Sequence, residues 1–471
     1  MGIAGRDLWL FAGIASLWLG GCAVRPLTPE LVQFEPDGGY RWSARHALPG
    51  NDPETLVILT FSGGGTRAAA FSYGVLEELR RTLVHTPRGA HPALAEVDVI
   101  TGTSGGSFTA LAYALYGERL FDDYDRTFLK RDVEGDLLQR LFNPLVWPRV
   151  LSQGFGRSDL AAEYYDEILF HGATYADLLA QPTPRAIVGA TDISTGTRLD
   201  FSQLEFDLLC ADLSRFRLSR AAAASSAVPV VLSPVTLDNR GGTCGSRPPA
   251  WFTETVGRPD SRWSDNRAKL RFRQMALLED SRKRPYIHLV DGGLSDNLGL
   301  YGPVEMLQEL MMNPQLRGAE GIARLRRIAV VVVNARSEPR FDFDQVPYGP
   351  GSFALLMQSI SVPINDYSTE GIAALGDIVT QWRQQAQLDA DARRLGEAAP
   401  TAAPLPAVEF SVVDVSFGAV ADPQLREYLQ NLPTSFALSD EAVDRLRNAA
   451  AQVLRDSPAF RDFVASLSGT P

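Results

Sequence analysis

The chain alternates between short runs of continuous apolar residues and longer runs in which apolar positions recur every three or four residues. Thr55 to Phe61, TLVILTF, is of the first kind, with no polar face, as expected for a strand buried on both sides of a parallel sheet. A helical run follows after Ser62-Gly63-Gly64-Gly65-Thr66-Arg67, with Ala70, Tyr73, Leu76 and Leu79 on one face. The pairing repeats at Val97 to Tyr116, VDVITGTSGGSFTALAYALY, where a β-branched run, a turn of small residues and an Ala/Leu-rich run succeed one another. Further strands are predicted at Arg185 to Thr191, around Arg198 to Phe201, at Tyr286 to Val290, Arg327 to Asn334 and Val408 to Phe417. Two consecutive strand-turn-helix units predict an α/β fold with a parallel sheet and with loops gathered at the C-terminal edge of its strands.

Several stretches break the alternation. Gly117 to Leu179 carries no strand pattern and reads as a helical insertion. Within it Leu141 to Leu151, LFNPLVWPRVL, is apolar on nearly every side and broken by two prolines. Buried packing is the default for such a segment; a cap touching acyl chains or a bilayer is the sharper alternative. Leu218 to Val235 is a small-residue helix that stops before Pro229, because the residue preceding a proline is driven out of the helical region. Arg240 to Arg284 reads as a long basic loop, with eleven Lys/Arg against five Asp/Glu. It is either a solvated surface or a contact for anionic lipid head groups. Beyond Asn334, Gly351 to Leu395 reads as one or two helices, and a last helix opens at Ser439 with Val443, Leu446, Ala450 and Leu454 at helical spacing.

With 471 residues, 45% hydrophobic and 21% charged, the chain has ample material for a core. A net charge of −11 and a pI near 5.1 argue against a nucleic-acid partner. The N-terminus changes the picture more. Arg6 is followed by the apolar run Leu8 to Leu19, which is too short to span a bilayer comfortably and reads as a signal peptide over residues 1–21. Leu19-Gly20-Gly21-Cys22 resembles the lipobox of bacterial lipoproteins, although Asp7 offsets Arg6 in the n-region. That resemblance implies lipidation of Cys22, a membrane anchor in the cell envelope and, with Ala23 rather than Asp next, passage to the outer membrane. Residues 22–51, rich in Pro and Gly, would be the tether. Cys210 and Cys244 remain, either as a disulfide or as two thiols; pairing would stabilise the fold by roughly 3–4 kcal/mol in the chain-entropy model. No metal-ligand spacing is visible.

The turns carry the candidate chemistry. Gly102-Thr103-Ser104-Gly105-Gly106 is a G-x-S-x-G pattern between a strand and a helix, the context in which a serine hydroxyl is lifted clear of the backbone. Gly63, Gly64 and Gly65 end a strand and open a helix, so their unobstructed amides suit a developing oxyanion. They also satisfy G-x-G-x-x-A, the dinucleotide pattern, but the strand expected to end in an acidic residue roughly twenty residues on ends in Gly102-Thr103-Ser104 instead. No Lys-Ser/Thr pair follows the glycines, which excludes a P-loop. For a base, the five histidines His46, His85, His91, His171 and His288 all precede Asp291, so a triad ordered Ser, Asp, His cannot use that aspartate, and only a version ending in His288 survives. His288 reads as a buried, hydrogen-bonded strand residue. Asp291, at a strand end before Gly292-Gly293, is placed to reach Ser104 directly; its bland reading is a turn cap.

Together these turns resemble the patatin-like phospholipase family: SGGGTRA at Ser62 to Ala68 its oxyanion motif, GTSGG its nucleophile elbow, DGG at Asp291 to Gly293 its aspartate motif. ATDISTG at Ala190 to Gly196 and the small-residue helix ending near Val228-Pro229 also match in order and spacing. The resemblance spans about Thr55 to Asn334. It implies a three-layer α/β fold with a mostly parallel central sheet, a helical insertion and an α-rich C-terminal extension. It implies a Ser104–Asp291 dyad cleaving acyl esters of phospholipids at a membrane surface, Gly63, Gly64 and Gly65 as the oxyanion hole, and no cofactor. Arg67 matches the family's basic residue, bracing the loop or meeting a phosphate group. Ser62 departs from the Asp of many members and resembles the cytosolic phospholipase A2 branch. The domains expected are residues 52–337 for the acyl hydrolase and 338–471 for an extension of unknown role. The rival is an inactive lipid- or protein-binding lipoprotein on the same fold.

Overall fold

β1 (Thr55–Phe61) is buried along its whole length in the computed structural model, which describes residues 25–36, 38–41, 51–86, 89–247, 263–313, 317–318, 322–337, 342–345, 347–395 and 404–468. Its continuous apolar run has a simple cause. Val57, Leu59 and Phe61 join one hydrophobic core while Leu56 and Ile58 join another, so the strand has no wet side. α1 (Gly65–Arg81) leaves from its end, and after the hairpin β2 (Leu83–Thr86) and β3 (Gly89–Pro92), β4 (Val99–Thr103) and α2 (Gly105–Tyr116) repeat the unit. The insertion is helical and includes α3 (Val133–Phe142) and α4 (Arg157–Tyr165). Then come β5 (Arg185–Asp192), β6 (Thr197–Asp200), α5 (Leu218–Ser225), β7 (Val235–Asp238), α6 (Trp263–Glu279), β8 (Tyr286–Val290), α7 (Gly293–Asp296) and α8 (Tyr301–Met312). β9 (Arg327–Asn334), α9 (Ser352–Arg394), β10 (Glu409–Ser416), α10 (Asp440–Asp456) and α11 (Pro458–Leu467) complete the chain.

Eight strands form one sheet in the order β10-β9-β1-β4-β5-β8-β7, with β6 paired to β5. The five from β10 to β5 are parallel, as expected of strand-turn-helix units. β8 is not. It runs antiparallel to β5, with Thr191 opposite Val290 and Asp192 opposite Leu289. β1 and β4 therefore climb to the C-terminal rim of the sheet, whereas β8 descends to it, and all three end at the same place.

Residues 338–471 are mostly helical, yet they do not stand apart. β10 pairs with β9 from Glu409 opposite Arg327 to Ser416 opposite Asn334, so a boundary at 337 falls between adjacent strands of one sheet. As an edge strand, β10 buries Val413 and Val415 and exposes Val412. α9 lays Ala374, Leu375, Ile378, Trp382 and Ala386 into the second core. α10 packs along α1 so closely that a methyl group on Gly74 would overlap the Arg447 backbone. The ion pairs Arg447–Glu77 (2.8 Å) and Arg455–Glu78 (2.7 Å) flank that contact.

Two other stretches differ from their sequence reading. Part of the basic stretch is the helix α6, whose described apolar positions buried in the core are only Met275 and Leu278, too few to make a periodic stripe. Two charges of the basic stretch are spent internally: Arg271 of α6 pairs with Glu205 and Glu305, and Arg284 beyond it with Asp192. The described part of the tether is docked on the domain rather than free. Thr28 N–H donates to Asp238 (2.9 Å), Leu31 N–H to the Cys210 carbonyl (3.0 Å) and Phe34 N–H to the Cys244 carbonyl (3.1 Å). Tyr40 is buried and its hydroxyl both donates to and accepts from the Ala186 backbone. Cys210 and Cys244 are joined as a disulfide under this strap. The signal peptide and Cys22 lie outside the described residues. Among the described residues no helix is long and apolar enough to cross a membrane.

Candidate active site

Ser104 stands where β4 turns into α2, with φ 48° and ψ −120°, a conformation that costs a residue with a side chain. The glycines around it make the turn possible. A methyl group on Gly105 would overlap the Gly65 carbonyl, and one on Gly106 would overlap the backbone at Phe61 and Ser62. Ser104 Oγ donates to Asp291 Oδ2 at 2.9 Å, bringing together residues from β4 and β8. The other carboxylate oxygen, Oδ1, accepts the Gly293 N–H at 2.8 Å.

The pair is pinned from behind by residues to which the sequence analysis gave no role of their own. Ser225, the last residue of α5, accepts the Ser104 N–H (2.9 Å) and donates to the Gly189 carbonyl (2.7 Å). Asp291 N–H donates to the Ala227 carbonyl (2.9 Å), and the Asp291 carbonyl accepts the Thr191 hydroxyl (2.8 Å). The small residues after Leu218 therefore let α5 approach the rim, the one signal in the sequence that pointed to Ser225. Ser104 and Asp291 are 5% and 7% exposed. Burial raises the Asp291 carboxyl to about 6, against the Gly293 and Ser104 hydrogen bonds, which favour the carboxylate. Near neutral pH Asp291 is thus ionised and more basic than a solvated aspartate.

The glycine loop divides its labour. Gly63 N–H donates to the Asn297 carbonyl (2.9 Å), so this amide is engaged, a correction to its reading as an oxyanion donor. Gly63 matters for shape instead: a methyl group there would overlap Asn297 Oδ1 and crowd Ser104 Cβ at 3.2 Å. Gly64 and Gly65 open α1 at φ 139° and 60°, where first-turn amides have no intrahelical partner, and they remain the candidate donors. Arg67 braces this loop. Its guanidinium donates to the carbonyls of Ala335 (Nε, 2.9 Å) and Leu432 and to Thr434 Oγ1 (3.1 Å), tying α1 to the end of β9 and to the C-terminal segment. Ser62, the departure from the family pattern, accepts the Ala335 N–H at 2.9 Å and joins β1 to β9.

A cavity of about 330 Å³ opens onto these groups. Ser104, Asp291 and Gly63 to Gly65 line its floor; Leu137, Leu138, Leu141, Leu160, Val231, Leu232, Leu294, Ile364 and Phe436 line its walls. No histidine is among its lining residues. His288 is exposed rather than buried, because β8 turns this residue outward, where Nδ1 meets Thr236 Oγ1 at 3.0 Å. The Leu141 to Leu151 segment also departs from its default reading. Phe142, Leu145 and Leu151 are 72%, 83% and 81% exposed, while Leu141 reaches the cavity. The prolines break the segment into the short turns Pro144–Val146 and Trp147–Val150, neither of which buries a side chain.

The sequence model of the patatin-like phospholipase family matches residues 59–303. Among solved structures, human GIVD cytosolic phospholipase A2 is similar at 13% identity and a TM-score of 0.44, over 90% of this chain and 64% of that one. The same enzyme in complex with methyl gamma-linolenyl fluorophosphonate and terbium chloride gives 14% identity and a TM-score of 0.41, over 90% and 61%. VipD from Legionella pneumophila gives 11% and 0.27, over 92% and 72%. The chain thus spans less than two thirds of the human enzyme's length. No curated protein sequence matches it.

Proposed function

The chain belongs to the patatin-like phospholipase family, and from that premise we propose that it is a serine acyl hydrolase of phospholipids that works through a Ser104–Asp291 dyad. Membership supports lipid acyl hydrolysis as the activity. The dyad rests on one observation above all, the 2.9 Å hydrogen bond from a serine in a strained elbow to a buried carboxylate.

In this mechanism Ser104 Oγ attacks the acyl carbonyl carbon as Asp291 Oδ2 takes its proton. The carbonyl oxygen becomes an oxyanion held by the amides of Gly64 and Gly65 at the positive end of α1. Collapse breaks the ester C–O bond, and the leaving alkoxide takes the proton back from Asp291. Water, deprotonated by the same carboxylate, then attacks the acyl-serine and regenerates the hydroxyl. The second oxygen of Asp291, fixed by Gly293, keeps Oδ2 aimed at Ser104 through both halves.

The experiment is labelling with a fluorophosphonate probe alongside phospholipid hydrolysis, for wild type and Ser104→Ala. Wild type is expected to label at Ser104 and release fatty acid, and the variant to do neither. A wild-type protein that binds lipid without labelling or turnover would instead be the inactive lipid-binding form of the fold. Lipidation of Cys22 and residence on the outer membrane belong to the same proposal. They are supported by the Leu19-Gly20-Gly21-Cys22 sequence and checked by metabolic labelling with an alkyne fatty acid, which Cys22→Ser should abolish.

A further inference from the structure

The walls of the cavity are apolar, but three arginines and one glutamate also reach it: Arg67, Arg157, Arg336 and Glu134. Arg67 has its guanidinium on two carbonyls and a hydroxyl, as described above. Glu134 accepts the Phe436 N–H (3.2 Å) and the Ser435 hydroxyl, latching the insertion to the C-terminal segment. Arg157 is different. It is the first residue of α4, half-buried, and its side chain has no hydrogen-bond or ion-pair partner among the described residues. The backbone beside it is already satisfied, Gly156 N–H by Asp159 Oδ2 (2.9 Å) and Ser158 N–H by Ser233 Oγ (3.0 Å).

A half-buried guanidinium on a largely apolar wall, with none of its donors committed to a protein acceptor among the described residues, is available to an anion that enters the cavity. On the hydrolase reading an acyl ester would lie at Ser104 in the same cavity, and in a glycerophospholipid a phosphodiester lies a few bonds from that ester. We propose that Arg157 pairs with the phosphodiester of a glycerophospholipid whose acyl ester lies at Ser104, and so is the residue that separates phospholipid from neutral glyceride. The inference rests on the hydrolase reading of this cavity, and it reassigns phosphate recognition from Arg67, which the loop uses, to the insertion. A guanidinium suits the task because its planar fork holds two phosphate oxygens at once.

The test compares binding of two ether-linked analogues that cannot be hydrolysed, a dialkyl phosphatidylglycerol and the matching dialkylglycerol, each in neutral detergent micelles. Wild type is expected to prefer the phospholipid by roughly tenfold or more, as a charge-assisted pair allows. Arg157→Gln should bring that ratio close to one, and Arg157→Lys should retain part of it. A preference unchanged in Arg157→Gln, or affinity lost equally for both analogues, overturns the proposal. Fluorophosphonate labelling of Ser104 is run in parallel. A phosphate preference that depends on Arg157 in a protein that fails to label would sustain this assignment while removing the hydrolase reading.

Discussion

The floor and the mouth of the cavity are built by different rules. On the floor, Ser104, Asp291 and Gly63 to Gly65 lie within a few positions of strand ends, and their backbones are fixed by close contacts and buried hydrogen bonds. Around the mouth, Leu137 and Leu138 come from the insertion, Val231 from the loop after α5, Ile364 from α9 and Phe436 from the C-terminal segment. The floor demands particular atoms at particular angles. The mouth demands apolar area, which many side chains can supply. On the proposed function, chemistry is concentrated in a few short turns, and the apolar fit to an acyl chain is spread over distant stretches of chain.

The sharpest way to test the floor is to change one atom. Asp291→Asn keeps the shape and leaves an oxygen to accept the Gly293 N–H, but it cannot take the Ser104 proton. A loss of kcat of roughly 10³- to 10⁴-fold is expected. Thermal stability should hold or rise, because ionising a buried carboxyl opposes folding. Activity within tenfold of wild type would show that Asp291 is a turn cap and nothing more.

Floor and mouth meet at Gly65, and breaking that contact is the next largest effect. Gly65 sits at φ 60°, and a methyl group on it would overlap the Ser435 carbonyl, which accepts the Thr66 N–H at 2.9 Å. Gly65→Ala should displace both the candidate oxyanion amide and the C-terminal segment. Turnover is expected to fall roughly 10²- to 10³-fold, the range for losing one oxyanion donor. A melting measurement should report a cost of about 1–3 kcal/mol from the forced backbone. If catalysis survives while stability falls, the glycine serves packing alone.

The same contrast decides what the sequence could reveal. The turns around Gly63, Ser104 and Asp291 were legible because glycine is needed where a backbone takes positive φ or passes within contact of another, and that need is local. The direction of β8 was not legible: YIHLV fits a parallel or an antiparallel strand, and only the pairing of Thr191 with Val290 sets it. Ser225 and Asn297 support the floor from positions with no chemical motif, Ser225 being marked only by the run of small side chains around it. The exposed face of Leu141 to Leu151 misled in the other direction, because apolar composition predicts burial in a core whether or not the core is there.

A gentler test of the floor uses pH. Asp291 accepts a proton only when ionised, and burial raises its carboxyl to about 6. For a substrate without titrating groups, kcat/KM should be flat above about pH 6 and fall tenfold per unit below it. Stability should run the opposite way. A carboxyl whose folded value lies above the usual carboxylate range favours the fold while protonated, and that contribution fades as pH rises from about 4 through about 6. Asp291→Asn should remove that part of the slope. A limb near pH 4 would instead mean that water reaches Asp291 in the working enzyme.

The mouth offers the smallest expected effect, and it depends on the assay. Phe142, Leu145 and Leu151 are 72%, 83% and 81% exposed, so replacing all three with serine should cost little folding stability. They follow Leu138 and Leu141, which line the cavity, in the same stretch of chain, so on the proposed function they are the exposed apolar side chains offered to a lipid surface. Partial burial of such side chains in an interface should change hydrolysis of vesicle lipid by roughly three- to tenfold. A short-chain ester dissolved as monomers needs only the floor and should be cut at the wild-type rate. Equal losses on both substrates would tie this segment to the floor after all, as a structural lid rather than a lipid contact, and the division of the cavity into two halves would fail.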